Sequence, residues 1–464
     1  MFMRDGRSRC DVRKLFMLVL FMLVSAGMPQ GAVAADAAAN EVSQTVAESL
    51  EALWAGKAFS PQLQQRQQAM KTMLQAGAVT QADLKAMMEA AFFPMLDRVV
   101  TSRYILKDMA RNFDAVFAPH MTWEEGRKMI WRVSTSVVKK GDQILIRIGT
   151  LAPPGTPWLS VPETITIPEI EKMTEGRVAI KIYGGGVMGE DTDILRKMDI
   201  GQLDGCGCTS LGVLAASPET SVFLVPGLFK SYDEVDYICE KFRKQLDRAF
   251  SERGYILAAI IDTGFFHIFS KNRIVGLEDV KRQKMLTWFG IVETTLYNEL
   301  GINPTPVAVP EVVSALSTGL ADTCLAPSTW MLGMQAYQYA NYYLTPPLLY
   351  SPAAVVVSGQ LRDRIQKQVG VSDNYAQNFQ EIIVSEFNLI EGEWRRQIRV
   401  YDAKSLKAFE TKCGMKAMTF SAEDLKRIEQ AGIAVREKLA GKAYPADLLA
   451  DVLAALEEFR KTHK

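Results

Sequence analysis

The sequence predicts an α/β fold of two lobes, preceded by a small all-α bundle. Three patterns predict this fold. From Ile144 onward, β-rich runs alternate with helices of about ten residues. A second series of strands and helices begins after residue 290, and a long helical region, which we expect to be broken once, covers residues 372–412. Two such series joined by connecting strands are typical of proteins that bind a ligand in the cleft between two lobes.

The helical bundle is predicted for residues 40–142, because capping signals separate amphipathic stretches throughout this segment. Three such signals begin helices here: Ser60-Pro61, Thr80 with Asp83, and Thr122 with Glu125. Short loops between about four helices indicate a compact bundle. The segment is a candidate docking module for a protein partner, although no motif specifies one.

The strands predicted in residues 144–464 are short and apolar. They cover residues 144–148, 178–183, 203–209 and 255–261 in the first series, and residues 304–309, 323–326, 352–358 and 415–420 in the second. Amphipathic helices separate most of these strands. The βαβ order predicts a mostly parallel sheet.

The stretch Asp262–Gly290 lies between the two series. It predicts two short apolar strands, residues 266–270 and 285–289, joined by a loop and a capped turn at residues 276–280. Aromatic side chains are concentrated in these strands. They are Phe265, Phe266, Trp288 and Phe289.

The first 34 residues have the pattern of a cleaved signal peptide. Basic residues between Arg4 and Lys14 precede an apolar run from Leu15 to Met28, and small residues before Ala35 suit cleavage. An uncleaved membrane anchor is the alternative, but the apolar run is short for a bilayer span. We therefore expect the protein to be exported.

The composition argues against several classes of function. The 464 residues have a formal net charge of zero, whereas a nucleic-acid partner would require a basic excess. No nucleophile–base pair, metal-ligand spacing or pair of carboxylates indicates an enzyme or a metal site. The run Gly184-Gly185-Gly186 lacks the Lys-Ser/Thr of a phosphate-binding loop, so no cofactor is predicted.

Five cysteines follow the predicted cleavage site, and their odd number and dispersed positions exclude a disulfide scaffold. Cys206-Gly207-Cys208 lacks metal-site spacing, and we interpret the two cysteines as small buried residues on a strand. At most one disulfide is expected, and its pairing is left open.

Residues 144–464 carry short motifs in a consistent order. They are IRIGTLAP at 146–153, MTEGRV and IKIY followed by a glycine loop at 173–189, VPGLF at 225–229, LEDVK at 277–281 and EVVSALSTGLAD at 311–322. Together they resemble the DctP-type solute-binding proteins of tripartite ATP-independent periplasmic (TRAP) transporters, bacterial extracellular solute-binding protein family 7. The resemblance implies a two-lobed periplasmic-binding-protein architecture with a long hinge-associated helix. It also implies binding of a small-molecule solute and delivery to a membrane symporter.

The resemblance further implies organic-acid ligands held mainly by arginine, and this sequence departs from that pattern. The two arginine positions fall on Phe266 and Leu286, and a polar asparagine position falls on Ala326. A buried carboxylate needs a bidentate arginine or several donors, whereas burial of apolar surface gains about 25 cal/mol per Å². We therefore predict an apolar or aromatic ligand. The predicted ligand-binding residues are Phe266, Leu286, Trp288, Ala326 and Trp330, with Ser210, His267 or Thr287 for polar specificity.

Several alternatives stay open at this stage. One alternative places Phe266 and Leu286 in a lobe core, with Arg147 or Arg282 as a relocated anchor for an acid. His267, as a lone histidine, suits a structural role as well as a ligand contact. Another alternative is a cleft that has lost its ligand and serves only as a scaffold. A last alternative is a periplasmic interaction or lipid-carrier protein whose helical segment docks a partner.

Overall fold

A computed structural model describes the backbone of residues 30–288 and 290–463, with side chains from residue 39 onward. The predicted signal peptide lies mostly outside the described residues, and so does Phe289. The first helix among the described residues begins at Gln30, upstream of the predicted cleavage site. Cleavage before Ala35 stays a prediction.

The segment before the first strand is helical, as predicted. Its helices are α1 (Gln30–Trp54), α2 (Pro61–Gln75), α3 (Gln81–Arg98), α4 (Ile105–Phe117) and α5 (Trp123–Ser134). The predicted caps are confirmed, since the side chains of Ser60, Thr80 and Thr122 accept hydrogen bonds from the first turns of α2, α3 and α5. These bonds satisfy backbone donors that have no partner inside a helix.

The first α/β series follows in the order β1 (Ile144–Thr150), α6 (Pro157–Val161), α7 (Ile167–Met173), β2 (Val178–Tyr183), α8 (Asp191–Asp199), β3 (Gly205–Cys208), α9 (Ser210–Ala216), α10 (Tyr232–Ser251) and β4 (Tyr255–Ser270). A π-helical turn, Pro162–Thr166, joins α6 to α7, and a 3₁₀ segment, Pro218–Leu224, follows α9.

The second series has the order α11 (Leu277–Val280), β5 (Leu286–Thr287), α12 (Ile291–Leu300), β6 (Thr305–Pro306), α13 (Val312–Thr318), β7 (Thr323–Pro327), α14 (Ser328–Gly333), β8 (Tyr342–Leu344) and β9 (Leu349–Ser358). The chain ends with α15 (Leu361–Val369), α16 (Asp373–Thr411), β10 (Lys416–Met418), α17 (Ala422–Leu439) and α18 (Ala446–Thr462). Two 3₁₀ turns, Val309–Glu311 and Ala336–Tyr339, flank α13 and α14.

The principal sheet is mixed, whereas the sequence predicted a mostly parallel one. Its order is β10-β8-β4-β9-β3-β1-β2, and β7 also pairs with β4. Strands β1, β2 and β3 are mutually parallel, but β9 runs antiparallel to both β3 and β4. The difference arises because β4 and β9 both pass from one series to the other.

Strand β4 merges two strands that were predicted separately. It runs for 16 residues, and its first part pairs with β9 while its end pairs with β7 and β8. The register shifts between Asp262 and Gly264, and Gly264 has a φ of +114°, a value that only glycine adopts readily. This bulge bends the strand without ending it. The strand predicted at 285–289 is shorter in the structure, where β5 contains only Leu286 and Thr287.

The long late helix is continuous, in contrast to the single break predicted. Helix α16 has 39 residues and buries side chains along most of its length. It contacts β4, α15, α4 and α3, so packing from several directions holds the helix straight through Gly392.

The helical segment shares a hydrophobic core with one lobe. Residues of α1 to α5 pack in one cluster with side chains of β1, β2, β4, β9 and α16. A buried ion pair adds to this contact, since Arg127 of α5 donates to Glu386 of α16 over 3.0 and 2.6 Å. Trp131 Nε1 donates to the same carboxylate over 2.5 Å. A division at residues 142–144 into separate domains stays a prediction.

Among the residues described here, no helix combines the length and the apolar character that a membrane crossing requires.

Candidate ligand-binding site

An apolar cavity lies between the two α/β series. The space inside it that the centre of a water molecule can reach has a volume of about 70 Å³. One water needs about 10–15 Å³ on that measure, so the cavity suits a small organic molecule. The lining residues are Ile148, Thr150, Leu151, Ala152, Pro153, Trp158, Leu159, Pro162, Ile182, Gly207, Cys208, Thr209, Ile261, Thr263, Val309, Trp330, Ala353, Val355, Phe387 and Trp394.

The fold explains why these residues meet. The ends of β1 and β3 supply the polar positions Thr150 and Thr209, and β4 supplies Thr263 as it crosses between the series. The second series contributes Val309 and Trp330, and α16 closes one side with Phe387 and Trp394. Ligand sites in open α/β folds lie beyond the carboxyl ends of strands in the same way.

The two series are in contact beside the cavity. Glu190, which precedes α8, accepts a hydrogen bond from the backbone N–H of Val309. Gly186 lies so close to the other series that a Cβ there would meet Pro310 Cγ at 3.5 Å. The structure therefore shows a closed arrangement of the two lobes.

Three tryptophans shape the cavity wall, and two have their polar atoms bound elsewhere. Trp158 Nε1 donates to the carbonyl oxygen of Asp262 over 2.8 Å, and Trp394 Nε1 donates to that of Pro157 over 2.9 Å. Trp330 packs edge-on against Trp288, with ring centroids 4.8 Å apart. Because these indoles are held by backbone and ring contacts, they present rigid apolar surface to a ligand.

The cavity threonines have no hydroxyl proton left for a ligand. Thr150 Oγ1 donates to Gly207 O over 2.7 Å, and Thr263 Oγ1 donates to Pro352 O over 3.0 Å. Thr209 Oγ1 donates to the carboxylate of Asp191 over 2.5 Å. Each hydroxyl carries a single proton, so these groups can only accept further hydrogen bonds.

Carboxylates form the layer behind the wall. Burial raises the pKa of Asp191 to about 6, and its carboxylate accepts hydrogen bonds from Thr209 and from the N–H of Gly212. Burial likewise raises the pKa of Asp402 to about 6, although Ser328 and Thr329 beside Trp330 donate to it. The negative charge of these carboxylates disfavours an anionic ligand in the cavity.

Strand β3 carries a disulfide that the sequence reading did not assign. Cys206 and Cys208 are both buried on the strand, as predicted, and they are joined to each other. The intervening Gly207 allows the close approach of Thr150, whose Oγ1 would lie 2.9 Å from a Cβ at this position. Cys208 belongs to the cavity wall, so the disulfide fixes part of the site.

Of the predicted ligand-binding residues, Trp330 lies on the cavity wall and Trp288 supports it from behind. Phe266 and Leu286 are fully buried in a core cluster that draws on both series, and they do not line the cavity. Their placement favours the core-packing alternative for these two positions. A direct role in ligand binding stays a prediction for both.

The other predicted residues lie in strands or at a helix start near the cavity. His267 and Ala326 pair across β4 and β7, and His267 Nδ1 lies 2.8 Å from Leu344 O. Burial lowers the pKa of His267, which suits a neutral structural imidazole. Thr287 Oγ1 donates to Glu293, and the buried hydroxyl of Ser210 has no partner among the described residues. Roles for Ser210 and His267 in ligand binding stay predictions.

Neither proposed relocated arginine reaches the cavity. Arg147 pairs with Asp204 and donates to Gly201 O, while Arg282 pairs with Asp279 in an exposed turn. Within the described residues, no charged side chain lines the cavity at all.

The sequence reading missed Trp158, Phe387 and Trp394. Trp158 lies in α6, five residues beyond the end of the IRIGTLAP motif, so no predicted motif included it. Trp394 follows Glu391-Gly392-Glu393 in a polar part of α16, where a lone tryptophan was a signal of a buried contact.

Two α/β series joined by crossing strands, with a cavity between them, define a solute-binding receptor. Residues 149–442 match the model of the bacterial extracellular solute-binding proteins, family 7 (DctP), and the chain belongs to this family. Members of this DctP-type family are periplasmic receptors of TRAP transporters and not enzymes.

Sequence relatives are distant. A solute-binding protein of Chromohalobacter salexigens is 26% identical over 232 residues, which is 50% of this chain and 68% of the relative. One from Verminephrobacter eiseniae is 26% identical over 199 residues, 42% of this chain and 59% of the relative. The C4-dicarboxylate-binding periplasmic protein DctP of Rhodobacter capsulatus is 24% identical over 44% of this chain and 65% of its own length.

Solved structures share the fold. The sugar-acid-binding protein DctPAm from Advenella mimigardefordensis, in complex with galactonate, has a TM-score of 0.62 at 20% identity, covering 68% of this chain and 99% of that chain. A TRAP solute-binding protein from Sulfurospirillum deleyianum with bound succinate has a TM-score of 0.58 at 19% identity, covering 68% and 99%. The helical segment before residue 144 lies outside the family match.

Proposed function

We propose that this protein is a TRAP-transporter receptor for a small neutral ligand that is largely apolar or aromatic. The receptor would close on this ligand between its lobes and deliver it to a membrane symporter. The observation that carries the proposal is the cavity wall, which has no charged side chain within the described residues and no unused threonine proton.

Physical chemistry favours such a ligand over an acid. A carboxylate entering this cavity would lose its hydration without a guanidinium or hydroxyl donor to replace it. The buried carboxylates Asp191 and Asp402 behind the wall would increase this cost. A neutral ring instead gains about 25 cal/mol per Å² of apolar surface removed from water.

The threonine oxygens give the ligand one further property. They accept hydrogen bonds but have already donated their protons, so they favour a ligand hydroxyl or N–H group. Small aromatic alcohols and indoles combine a ring with one such donor. Related receptors have been solved with bound acids, such as galactonate and succinate, so the proposed ligand class distinguishes this receptor from them.

The test is a calorimetric titration of the full chain with benzyl alcohol, indole, succinate and galactonate. We expect a neutral compound to bind and the two acids to show no saturable binding at the same concentrations. Tighter binding of succinate or galactonate than of either neutral compound would contradict the proposal. Mass spectrometry of the natively purified protein would identify a bound natural ligand.

Export through a cleaved signal peptide at residues 1–34 belongs to the same proposal. N-terminal sequencing of the protein from a periplasmic fraction is expected to begin at Ala35.

A partner for residues 40–142 also stays a proposal, and what supports it is that this segment lies outside the family match.

A further inference from the structure

A second cavity lies where the helical segment meets the receptor. Its volume is about 660 Å³, and it opens between α4, α10 and α16. The receptor side is formed by Arg243 of α10 and by Asn388, Arg395 and Arg399 of α16. The helical segment contributes Lys107 and Arg111, which lie outside the residues of the family match.

The lining of this cavity is strongly basic. It contains six cationic side chains and three carboxylates. Asp236 pairs with Arg395 over 2.8 Å and with Arg399 over 2.6 Å, and Glu391 pairs with Arg243 over 2.7 Å. The excess positive charge is therefore concentrated on the side of the helical segment.

Lys107 and Arg111 lie one helical turn apart on α4. In the described part of the chain neither side chain forms an ion pair or a side-chain hydrogen bond, whereas most arginines of this region are paired. Glu240 on the facing helix forms no ion pair or side-chain hydrogen bond in the described residues, and both it and Asp108 of α4 would compete for these two cations. Two cations on one turn of a helix suit an anion with more than one oxygen.

Several buried polar atoms on the α16 side have no hydrogen-bond partner in the described residues. Arg395 is 8% exposed and its Nε and Nη2 atoms lack hydrogen-bond partners in the described residues. Asn388 is 1% exposed, and both of its side-chain polar atoms also lack partners there. Buried polar groups are nearly always paired, and exceptions in native proteins point to function.

We propose that this second cavity binds a small anion bearing several carboxylate or phosphate oxygens. Lys107 and Arg111 would hold the anion from the helical segment, and Arg395 and Asn388 would hold it from α16. The site lies outside the cleft between the lobes, so this inference goes beyond the proposed function and does not rest on it. Such an anion would connect the helical segment to the helix that borders the cleft.

Calorimetric titration of the full chain with citrate and with inorganic phosphate tests the inference. We expect at least one of them to bind, more weakly as salt is raised, because exposed charges are screened. The double variant Lys107→Ala/Arg111→Ala should lose about tenfold in affinity, as expected for two partly exposed charge contacts. Both residues lie on the surface of α4, so folding should be retained and is checked by thermal unfolding.

The matched control is Lys404→Ala/Lys407→Ala, which removes the same charge from exposed positions of α16 outside the cavity. Its affinity should stay within about twofold of the parent, since only long-range screening changes. An equal loss in both double variants, or no loss in the first, would overturn the inference. Absence of saturable binding by both anions to the parent protein would also overturn it.

Asn388→Leu supplies an independent measurement. Because the buried amide has no partner, replacing it with an apolar side chain should raise the melting temperature of the anion-free protein while weakening citrate binding. Unchanged citrate affinity in this variant would contradict the placement of the anion against α16. Binding of the neutral cleft ligand should be unchanged in all of these variants, which separates this test from that of the proposed function.

Discussion

The two cavities lie against adjacent faces of α16 and have opposite chemistry. Phe387 and Trp394, seven residues apart, line the apolar cavity, whereas Asn388 and Arg395, each one residue further along, line the basic one. One residue corresponds to a rotation of about 100° around a helix. The same stretch of helix therefore borders an apolar ligand cavity and keeps its guanidinium groups out of it.

This comparison shows that cationic groups are abundant near the cleft but point elsewhere. The resemblance to DctP-type receptors implied anchoring arginines within the cleft. Here Arg395 and Arg399 do not line the cleft cavity, and they pair with Asp236 and Asp262. The proposed ligand class thus rests on which face of the helix carries the charge, and not on the number of arginines.

Asp262 lies between the two cavities. Its carboxylate accepts hydrogen bonds from Arg399 and Tyr350, each over 2.7 Å. Its backbone carbonyl accepts the indole N–H of Trp158 on the wall of the apolar cavity. The residue is fully buried, so it joins the charged side of α16 to the apolar site.

The largest expected effect follows from removing this shared residue. Asp262→Ala should lower the free energy of unfolding by about 3–5 kcal/mol, because it removes one partner of a buried, hydrogen-bonded ion pair. Urea unfolding measures the change. The control is Glu393→Ala, which breaks an exposed pair with Arg396 on the same helix and should cost much less. Similar costs for the two variants would contradict the role given to Asp262.

The next effect separates the two sites by ligand. Trp330→Ala should weaken binding of the neutral ligand by about 30-fold, which corresponds to about 2 kcal/mol of lost apolar contact. Citrate binding in the second cavity should not change. Trp123→Ala, a partly buried tryptophan of the helical segment, is the control and should leave both affinities unchanged. A loss of citrate binding in Trp330→Ala would place the anion in the cleft.

The contact of α16 with the helical segment should depend on pH through Glu381. Burial raises the pKa of this carboxyl to about 7, with Arg103 and Asp247 as the neighbouring charges. A raised folded-state pKa stabilises the protein below about pH 4.5, and this contribution is lost as pH rises through 7. Glu381→Gln should therefore raise stability by about 1–2 kcal/mol at pH 8 and have no effect at pH 4.

Thermal unfolding of parent and Glu381→Gln across that range measures this difference. Glu391→Gln at the same helix is the comparison, since its carboxylate pairs with Arg243 over 2.7 Å and its loss should destabilise the protein at pH 8. A Glu381→Gln variant that is less stable than the parent at pH 8 would contradict the assignment.

The smallest expected effect concerns the disulfide in the apolar wall. Cys206→Ser/Cys208→Ser should lower the free energy of unfolding by about 1–2 kcal/mol, because a disulfide that closes so short a loop constrains the unfolded chain only slightly. Neutral-ligand affinity should fall as well, since Cys208 lies on the cavity wall. Citrate affinity should not change. Equal losses for both ligands would indicate a global effect instead of a local one.

Much of the fold was predictable because it depends on local signals. The caps at Ser60, Thr80 and Thr122 and the alternation of strands and helices require only nearby residues. The long pairing of β4 with β9 was not predictable in this way, because the bulge at Gly264 continues a strand that was predicted to end at residue 261. The helical segment was read as a bundle, but its core continues into the lobe through contacts distant in sequence.

The site was less predictable than the fold. The cavity wall is apolar and includes the predicted residue Trp330, but Phe266, Leu286 and Ala326, from which an apolar cleft was predicted, do not line it. Trp158 and Trp394 depend on how α6 and α16 pack around β4, which no local pattern reveals. Phe266 and Leu286 show the same limit, since a family position identifies a strand residue without showing whether the side chain faces a cavity or a core.

The most direct test of this account titrates the neutral ligand into protein already saturated with citrate. If the two cavities bind separately, benzyl alcohol or indole should bind with nearly the same affinity and stoichiometry as in citrate-free protein. Competitive displacement of one by the other would contradict the account, because it would place the acid and the neutral compound in the same cleft.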